Sequence, residues 1–198
     1  MRGDDAAVNM FLRLLRVWLR SRRAPRLGLY SIARTPFRVS LLDLDVLRHM
    51  NNGRYLTVLD LGRMDLMYRS GMWERLQRNR IYPVVAAQTI TYRRSLDYRT
   101  RFFVETRVVG ADERSVFLEQ RFVVRGEVHA VAHVRGRFLR AGGGTVPVAE
   151  LLALLGAEPP AGRLPEWVRA WSEGSALPAA KASMPSVWPE HGDLSEKA

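Results

Sequence analysis

The chain has 198 residues, 47% of them hydrophobic, no cysteine, and a formal net charge of +11 at pH 7. That length and apolar content fit one globular domain with appendages, and the missing thiols exclude disulfides, thiolate zinc sites and a cysteine nucleophile while leaving the redox compartment open. Lysine occurs only at Lys181 and Lys197, so the cationic surplus is arginine; it favours an anionic partner, though scattered solvated arginines would look the same, and no basic block interleaved with aromatics points to nucleic acid.

Residues 8–23 have helical periodicity. Arg13, Arg16, Arg20 and Arg23 form one basic stripe, and Phe11, Leu14, Leu15, Trp18 and Leu19 gather largely on the other side. A basic amphipathic helix of this type suits peripheral contact with an anionic membrane through residues 8–23. It equally suits packing of its apolar face on its own domain or on a partner subunit. Pro25 ends the helix. No stretch approaches the ~20 apolar residues of a membrane span, and the order of charges is wrong for a cleaved signal peptide. The expected location is cytoplasmic, with that helix as the candidate membrane contact.

Residues 34–42 read as a strand, because Phe37, Val39 and Leu41 alternate with Arg38 and Ser40. A loop with a dense set of polar groups follows, from Asp43 to Asn52. The longest helix then covers residues 52–70, where Asp65 and Arg69 make an i,i+4 pair and Gly71 is the C′ cap. Gly62 in its middle costs about 1 kcal/mol against alanine, which a close approach to a sheet would justify. Four strands are predicted at 83–94, 101–109, 114–124 and 127–139. They are separated by Asp97, Gly110-Ala111-Asp112 and Gly126, and the short connections imply antiparallel neighbours. Gly142-Gly143-Gly144 is a joint. Helices follow at 147–155 and 165–173, and from 175 the chain is rich in Pro, Ala and Ser and is expected to be loose. One strand, a long helix and an antiparallel run of strands make an α+β layer, a curved sheet on one central helix.

The loop carries the chemistry. Within eight residues it places Asp45, His49, Asn51 and Asn52 at a strand-to-helix junction. There, backbone N–H groups lack intrahelical partners and side chains sit beside partial positive charge. Such a cluster suits chemistry on a carbonyl or an anion. A structural explanation competes with it: an Asn N-cap and an Asp closing a turn.

Asp45, His49, Asn51, Asn52 and Tyr55, with Asp60 and Arg63 following, match seven positions at fixed spacing of a known motif. The chain resembles the hotdog-fold acyl-CoA thioesterases of the 4-hydroxybenzoyl-CoA thioesterase branch, and its wording DLDVLRHMNNGRYL is most similar to the thioesterase superfamily member 6-like subgroup. The resemblance spans about Thr35 to Leu139. One departure is Arg48, where many members have glycine. The resemblance implies an α+β hotdog fold of about five strands on one long helix. Together with the periodicity outside it, this divides the chain into an N-terminal helix (1–25), a thioesterase-like domain (33–141), C-terminal helices (145–174) and a tail (175–198). It further implies a homodimer or dimer of dimers joined edge to edge, with active sites between subunits.

By the same resemblance, Asp45 is the nucleophile or general base, and the backbone N–H of Asn52 polarises the carbonyl. Asp43 is the second choice for the acid. His49 hydrogen-bonds the thioester, holds Asp45, or pins the loop. Asn51 is N-cap first and ligand second. Tyr55 and Asp60 line the pocket, Asp60 from across the dimer, unless it simply pairs with Arg63. Arg93 and Arg94, grouped with Arg99 and Arg101 around one hairpin, are candidates for the phosphates of coenzyme A. No cofactor beyond coenzyme A of the substrate is implied. His129 and His133 share a strand face but lack a third ligand for a metal. Competing expectations are an acyl-CoA-binding protein without turnover and a hotdog hydratase or dehydratase, for which His49 would serve beside the acid.

Overall fold

The computed structural model describes residues 3–160, 163–178 and 182–186. Its elements run α1 (Gly3–Arg23), β1 (Ala33–Arg38), a 3-10 turn (Leu41–Asp43), α2 (Asn52–Arg69), α3 (Met72–Arg78), β2 (Ile81–Tyr92), β3 (Arg101–Ala111), β4 (Val116–Val124), β5 (Glu127–Arg140), α4 (Val148–Leu155) and α5 (Glu166–Gly174). The five strands form one antiparallel sheet in the order β1-β3-β4-β5-β2. The α+β layer expected from the sequence is therefore present. Of the tail expected from residue 175, residues 179–181 and 187–198 lie outside the described part.

The sheet closes on α2. Tyr55, Val58 and Leu59 of the helix bury against Phe102, Val104, Phe122, Ala130 and Ala132, and each fully buried large side chain of this kind contributes about 1.5–3 kcal/mol. A second cluster joins Met72 and Leu76 of α3 to Ile81, Phe138 and, from α4, Leu151 and Leu155. On the far side of the sheet's last strand, Arg135 donates to the Ser172 carbonyl and hydroxyl at 2.5 and 2.9 Å. The His133 ring meets Trp167 edge-on at 4.4 Å, and burial lowers the His133 pKa. These contacts tie α5 to β5.

Three expectations are corrected. The first strand stops at Arg38 rather than 42, because Asp43 accepts hydrogen bonds from the Ser40 N–H and hydroxyl at 2.8 and 2.9 Å and turns the chain into a 3-10 helix. Helix α3 was not foreseen; its seven residues are too few for periodicity to show, and Gly71 at φ 73° both ends α2 and opens α3. The strands β2 and β3 are not neighbours. Tight turns force β3-β4-β5 into a meander, but the segment 93–100 is long enough to cross, and β2 pairs with β5 at the opposite edge.

The orientation of α1 goes against packing of its apolar stripe on its own domain. Arg13 pairs with Asp43 at 2.5 Å, and Asp43 is 1% exposed. Arg20 lies 3.5 Å from Asp65, which is fully buried and also takes the Thr35 hydroxyl at 2.9 Å and Arg69 at 3.4 Å. Arg13 and Arg20 of the basic stripe face the domain, Arg16 and Arg23 stay exposed beside it, and Phe11, Leu15, Trp18 and Leu19 face outward.

Under the middle of α2 lies a second polar network. Arg63, 9% exposed, donates to Gln120 Oε1 at 2.6 Å and pairs with Asp60. Gln120 in turn donates to the Leu59 carbonyl at 3.0 Å and to Thr106 at 2.8 Å. Gly62 is what lets the helix come this near: a Cβ there would stand 2.8 Å from Val104 Cγ1, 3.0 Å from Thr106 Oγ1 and 3.1 Å from Gln120 Nε2. Alanine would gain about 1 kcal/mol of helix propensity and lose more by overpacking, typically about 1–3 kcal/mol. Gly62→Ala is expected to lower the urea midpoint with an unchanged m-value; a raised midpoint would refute the close-approach account.

Candidate active site

The loop between the 3-10 turn and α2 folds back on itself. The Asp45 N–H donates to the His49 carbonyl at 2.9 Å, the Arg48 N–H to the Asp45 carbonyl at 3.1 Å, and the Asn51 N–H to the Asp43 carbonyl at 2.8 Å. Leu44 and Met50 face each other as an isolated bridge. The tight reversal demands a left-handed residue, and Arg48 supplies it at φ 64°. This explains why glycine suits that position and shows that the arginine still adopts the shape, at a strain of about 1–2 kcal/mol.

Asp45 sits inside this reversal and is partly exposed. Its Oδ1 accepts the N–H groups of Leu47 and His49 at 2.9 and 3.3 Å. The carboxylate thus caps the turn with one oxygen. Asp43, two residues earlier, differs in kind: it is buried and committed to Arg13 and Ser40.

Asn51 is the N-cap of α2, its side chain accepting the Gly53 N–H at 2.9 Å and its carbonyl the Arg54 N–H at 2.8 Å. The Asn52 N–H takes part in neither bond and lies in the first turn, where the helix dipole leaves partial positive charge. Asp45, His49, Asn51 and Asn52 are therefore brought together by one loop and one helix start.

The remaining residues fall elsewhere. The His49 imidazole points to Asp97, with Nε2 3.8 Å from its Oδ1, so only the backbone of His49 holds Asp45. Tyr55 is a core residue, 2% exposed, packed edge-on against Tyr92 and tilted against Phe122. Burial pushes its phenol up to about 12. It faces the interior, not an open pocket.

Asp60 is exposed and pairs with Arg63, whose guanidinium burial pulls down to about 10. Both border an apolar cavity of about 250 Å³ walled by Met64, Met67, Val85 and Val134.

The four arginines do not share a hairpin. Arg93 and Arg94 sit at the end of β2, where both N–H groups donate to the His129 carbonyl and Arg93 pairs with Glu127 at 3.2 Å. The chain then runs beside the motif loop, with Leu96 accepting the Met50 N–H at 2.9 Å and Asp97 bridging His49. Arg99 and Arg101 lie instead in a groove of about 900 Å³ with Arg13, Arg16 and Arg38. The Arg13–Asp43 pair and the apolar cavity were missed from sequence. The pair is separated by 30 residues and the cavity is walled by apolar residues from α2, α3 and all strands but β1, so no local pattern marks either.

Known proteins resemble this chain in sequence and in fold. The family model described as the thioesterase-like superfamily matches residues 39–172. Over 105 residues the chain is 42% identical to Protein THEM6 of Danio rerio, covering 52% of each. It is 36% identical over 93 residues to Protein THEM6 of Drosophila melanogaster, covering 46% of this chain and 48% of that one. The chain thus aligns with about half the length of the curated relatives it matches. Among solved structures, the YbaW probable thioesterase from Escherichia coli is 25% identical with a TM-score of 0.59, covering 62% of this chain and 96% of that chain. The DHNA-CoA thioesterase from Staphylococcus aureus, at 15% identity and a TM-score of 0.56 over 72% of this chain and 90% of that chain, shares the fold. The five-stranded antiparallel sheet on one helix is the hotdog arrangement that the motif implies. With the family match running from Val39, just after β1, into α5, the chain belongs to the thioesterase-like superfamily.

Proposed function

We propose that this protein hydrolyses an acyl-CoA thioester to the free acid and coenzyme A, with Asp45 as nucleophile or general base. The observation that carries the proposal is the position of Asp45: a partly exposed carboxylate, pinned by one oxygen, in a loop that ends at the first N–H groups of α2. As general base, Asp45 takes a proton from water whose oxygen attacks the thioester carbon. The carbonyl oxygen becomes an oxyanion that the Asn52 N–H stabilises, a donor type worth about 10²–10³ in turnover. Collapse breaks the C–S bond, and the proton held on Asp45 passes to the departing thiolate. As nucleophile, Asp45 forms an acyl anhydride and releases the thiolate, and water then hydrolyses the anhydride.

The apolar cavity beside Asp60 is the candidate acyl site, and Arg93 and Arg94, within four residues of Asp97, are the candidate contacts to the coenzyme A phosphates. The reaction needs only water and these residues. The hydratase reading needs His49 beside Asp45, and the imidazole is turned toward Asp97 instead.

The proposal includes a homodimer. Both β1 and β2 are open edges among the described strands. β1 has six residues and contains Pro36, which lacks a donor. β2 has twelve, keeps a proline-free run from Val84 to Tyr92 after Pro83, and exposes Tyr82, Val85 and Tyr92, so it is the edge that a second copy would extend. Sedimentation velocity at micromolar concentration is expected to show a dimer or a dimer of dimers; a stable monomer would count against edge-to-edge assembly.

Asp45→Asn retains a side-chain acceptor for the Leu47 and His49 N–H groups but removes the base or nucleophile. Turnover of acyl-CoA is expected to fall by at least ~10²-fold with KM and melting temperature little changed. Loss confined to KM would reduce Asp45 to a positioning role, and unchanged turnover would remove it from the mechanism. Asp43→Asn behaves differently: it leaves the mostly buried Arg13 without its carboxylate and is expected to cost about 3 kcal/mol of stability. Intact turnover in Asp43→Asn measured below its melting temperature would confirm that Asp43 is structural. Binding of acyl-CoA with no hydrolysis across short, long and aromatic chains would favour the non-catalytic binding protein.

A further inference from the structure

The outward face of α1 has no cover among the described residues. Phe11 is 76% exposed, Leu12 50%, Leu15 46%, Leu19 42% and Trp18 37%. At 100° per residue these five side chains fall within an arc of about 120°, one continuous apolar stripe. Soluble surfaces scatter single apolar residues but rarely line up five large ones. The helix cannot roll to bury them, because Arg13 and Arg20 on the opposite face are engaged with the buried carboxylates Asp43 and Asp65.

The flanks of the stripe identify its occupant. Arg16 and Arg23 line one flank and Arg22 follows the stripe at its C-terminal end, none of the three pairs with a carboxylate among the described residues, and Arg22 stacks over the Trp18 ring at 4.8 Å. Arg16 also lines the groove that holds Arg38, Arg99 and Arg101, so positive surface runs on from the helix to the sheet edge at β1. A second copy of this chain laid on the stripe would bring arginine against arginine. A bilayer with anionic headgroups meets both demands, since an amphipathic helix lies with its apolar face at the acyl boundary and its cations at the phosphates.

We propose that the outer face of α1 docks this protein on anionic membranes through Phe11, Leu12, Leu15, Trp18 and Leu19, with Arg16, Arg22 and Arg23 at the lipid phosphates. The domain then hangs from the helix by the Arg13–Asp43 and Arg20–Asp65 pairs, so the motif loop, which begins at Asp43, is held next to the docked helix. This rests on the helix alone and is independent of the reaction proposed above.

The test is co-sedimentation of the full chain with phosphatidylcholine vesicles and with vesicles containing phosphatidylserine. Binding is expected only to the second, and raising salt from 50 to 500 mM is expected to weaken it. The double variant Leu15→Glu, Trp18→Glu is expected to lose binding with an unchanged melting temperature, because both side chains already face outward. Replacing Arg16, Arg22 and Arg23 by Gln is expected to weaken binding by about fivefold per residue. Failure of the full chain to bind phosphatidylserine vesicles would overturn the proposal, as would undiminished binding by the double variant. A smaller oligomer in that variant by sedimentation velocity would assign the stripe to a second copy and overturn it too.

Discussion

Two buried carboxylates organise this molecule beyond its hydrophobic core. Asp43 and Asp65 are 1% and 0% exposed, and an ionised carboxylate removed from water is tolerated only when it is paired and hydrogen-bonded. Asp65 lies on α2 and draws partners from three elements, Thr35 of β1, Arg69 of its own helix and Arg20 of α1. Asp43 stands at the mouth of the motif loop and is met by Ser40 and by Arg13. The N-terminal helix supplies a guanidinium to each. Its position follows from that need and from burial of Val17 between the two arginines, not from burial of its larger apolar stripe.

The same constraint separates the roles of the two aspartates in the loop. Asp43 is consumed by structure, with its carbonyl also accepting the Asn51 N–H that leads into the N-cap. Asp45 is two residues further, opposite His49 across the reversal, and retains exposure. A carboxylate that must meet a substrate needs that access, and it needs its neighbour to carry the load of holding the loop. The left-handed Arg48 completes the arrangement by letting the chain turn sharply enough to return to Asn51.

Beneath α2 the packing is set by an absence of side chain. At Gly62 the helix approaches Val104, Thr106 and Gln120 within 2.8–3.1 Å of where a Cβ would stand. That closeness allows Gln120 to reach the Leu59 carbonyl, and Arg63 to reach Gln120. Arg63 and Asp60 then meet the apolar cavity from the helix side, and β2 walls it with Pro83, Val84 and Val85. The cavity therefore adjoins an open sheet edge, which links pocket and assembly in the proposed function.

Much of this was legible in the chain because its signals are local. Period-two alternation marked the strands, Gly71 and Pro25 marked helix ends, Gly62 announced a close approach, and the spacing from Asp45 to Arg63 carried the family. Local signals also misled. Asp97 between the strands predicted at 83–94 and 101–109 suggested a hairpin, but strand pairing depends on which edge each strand can reach, and β2 found β5 while β3 found β1. Amphipathicity in residues 8–23 established a two-faced helix without saying which face points inward. That choice was made by Asp43 and Asp65, 30 and 45 residues from the arginines that meet them. Periodicity reports the faces of an element; only the folded chain places buried charges beside those faces, and it is the cost of leaving such charges unpaired that decides between them.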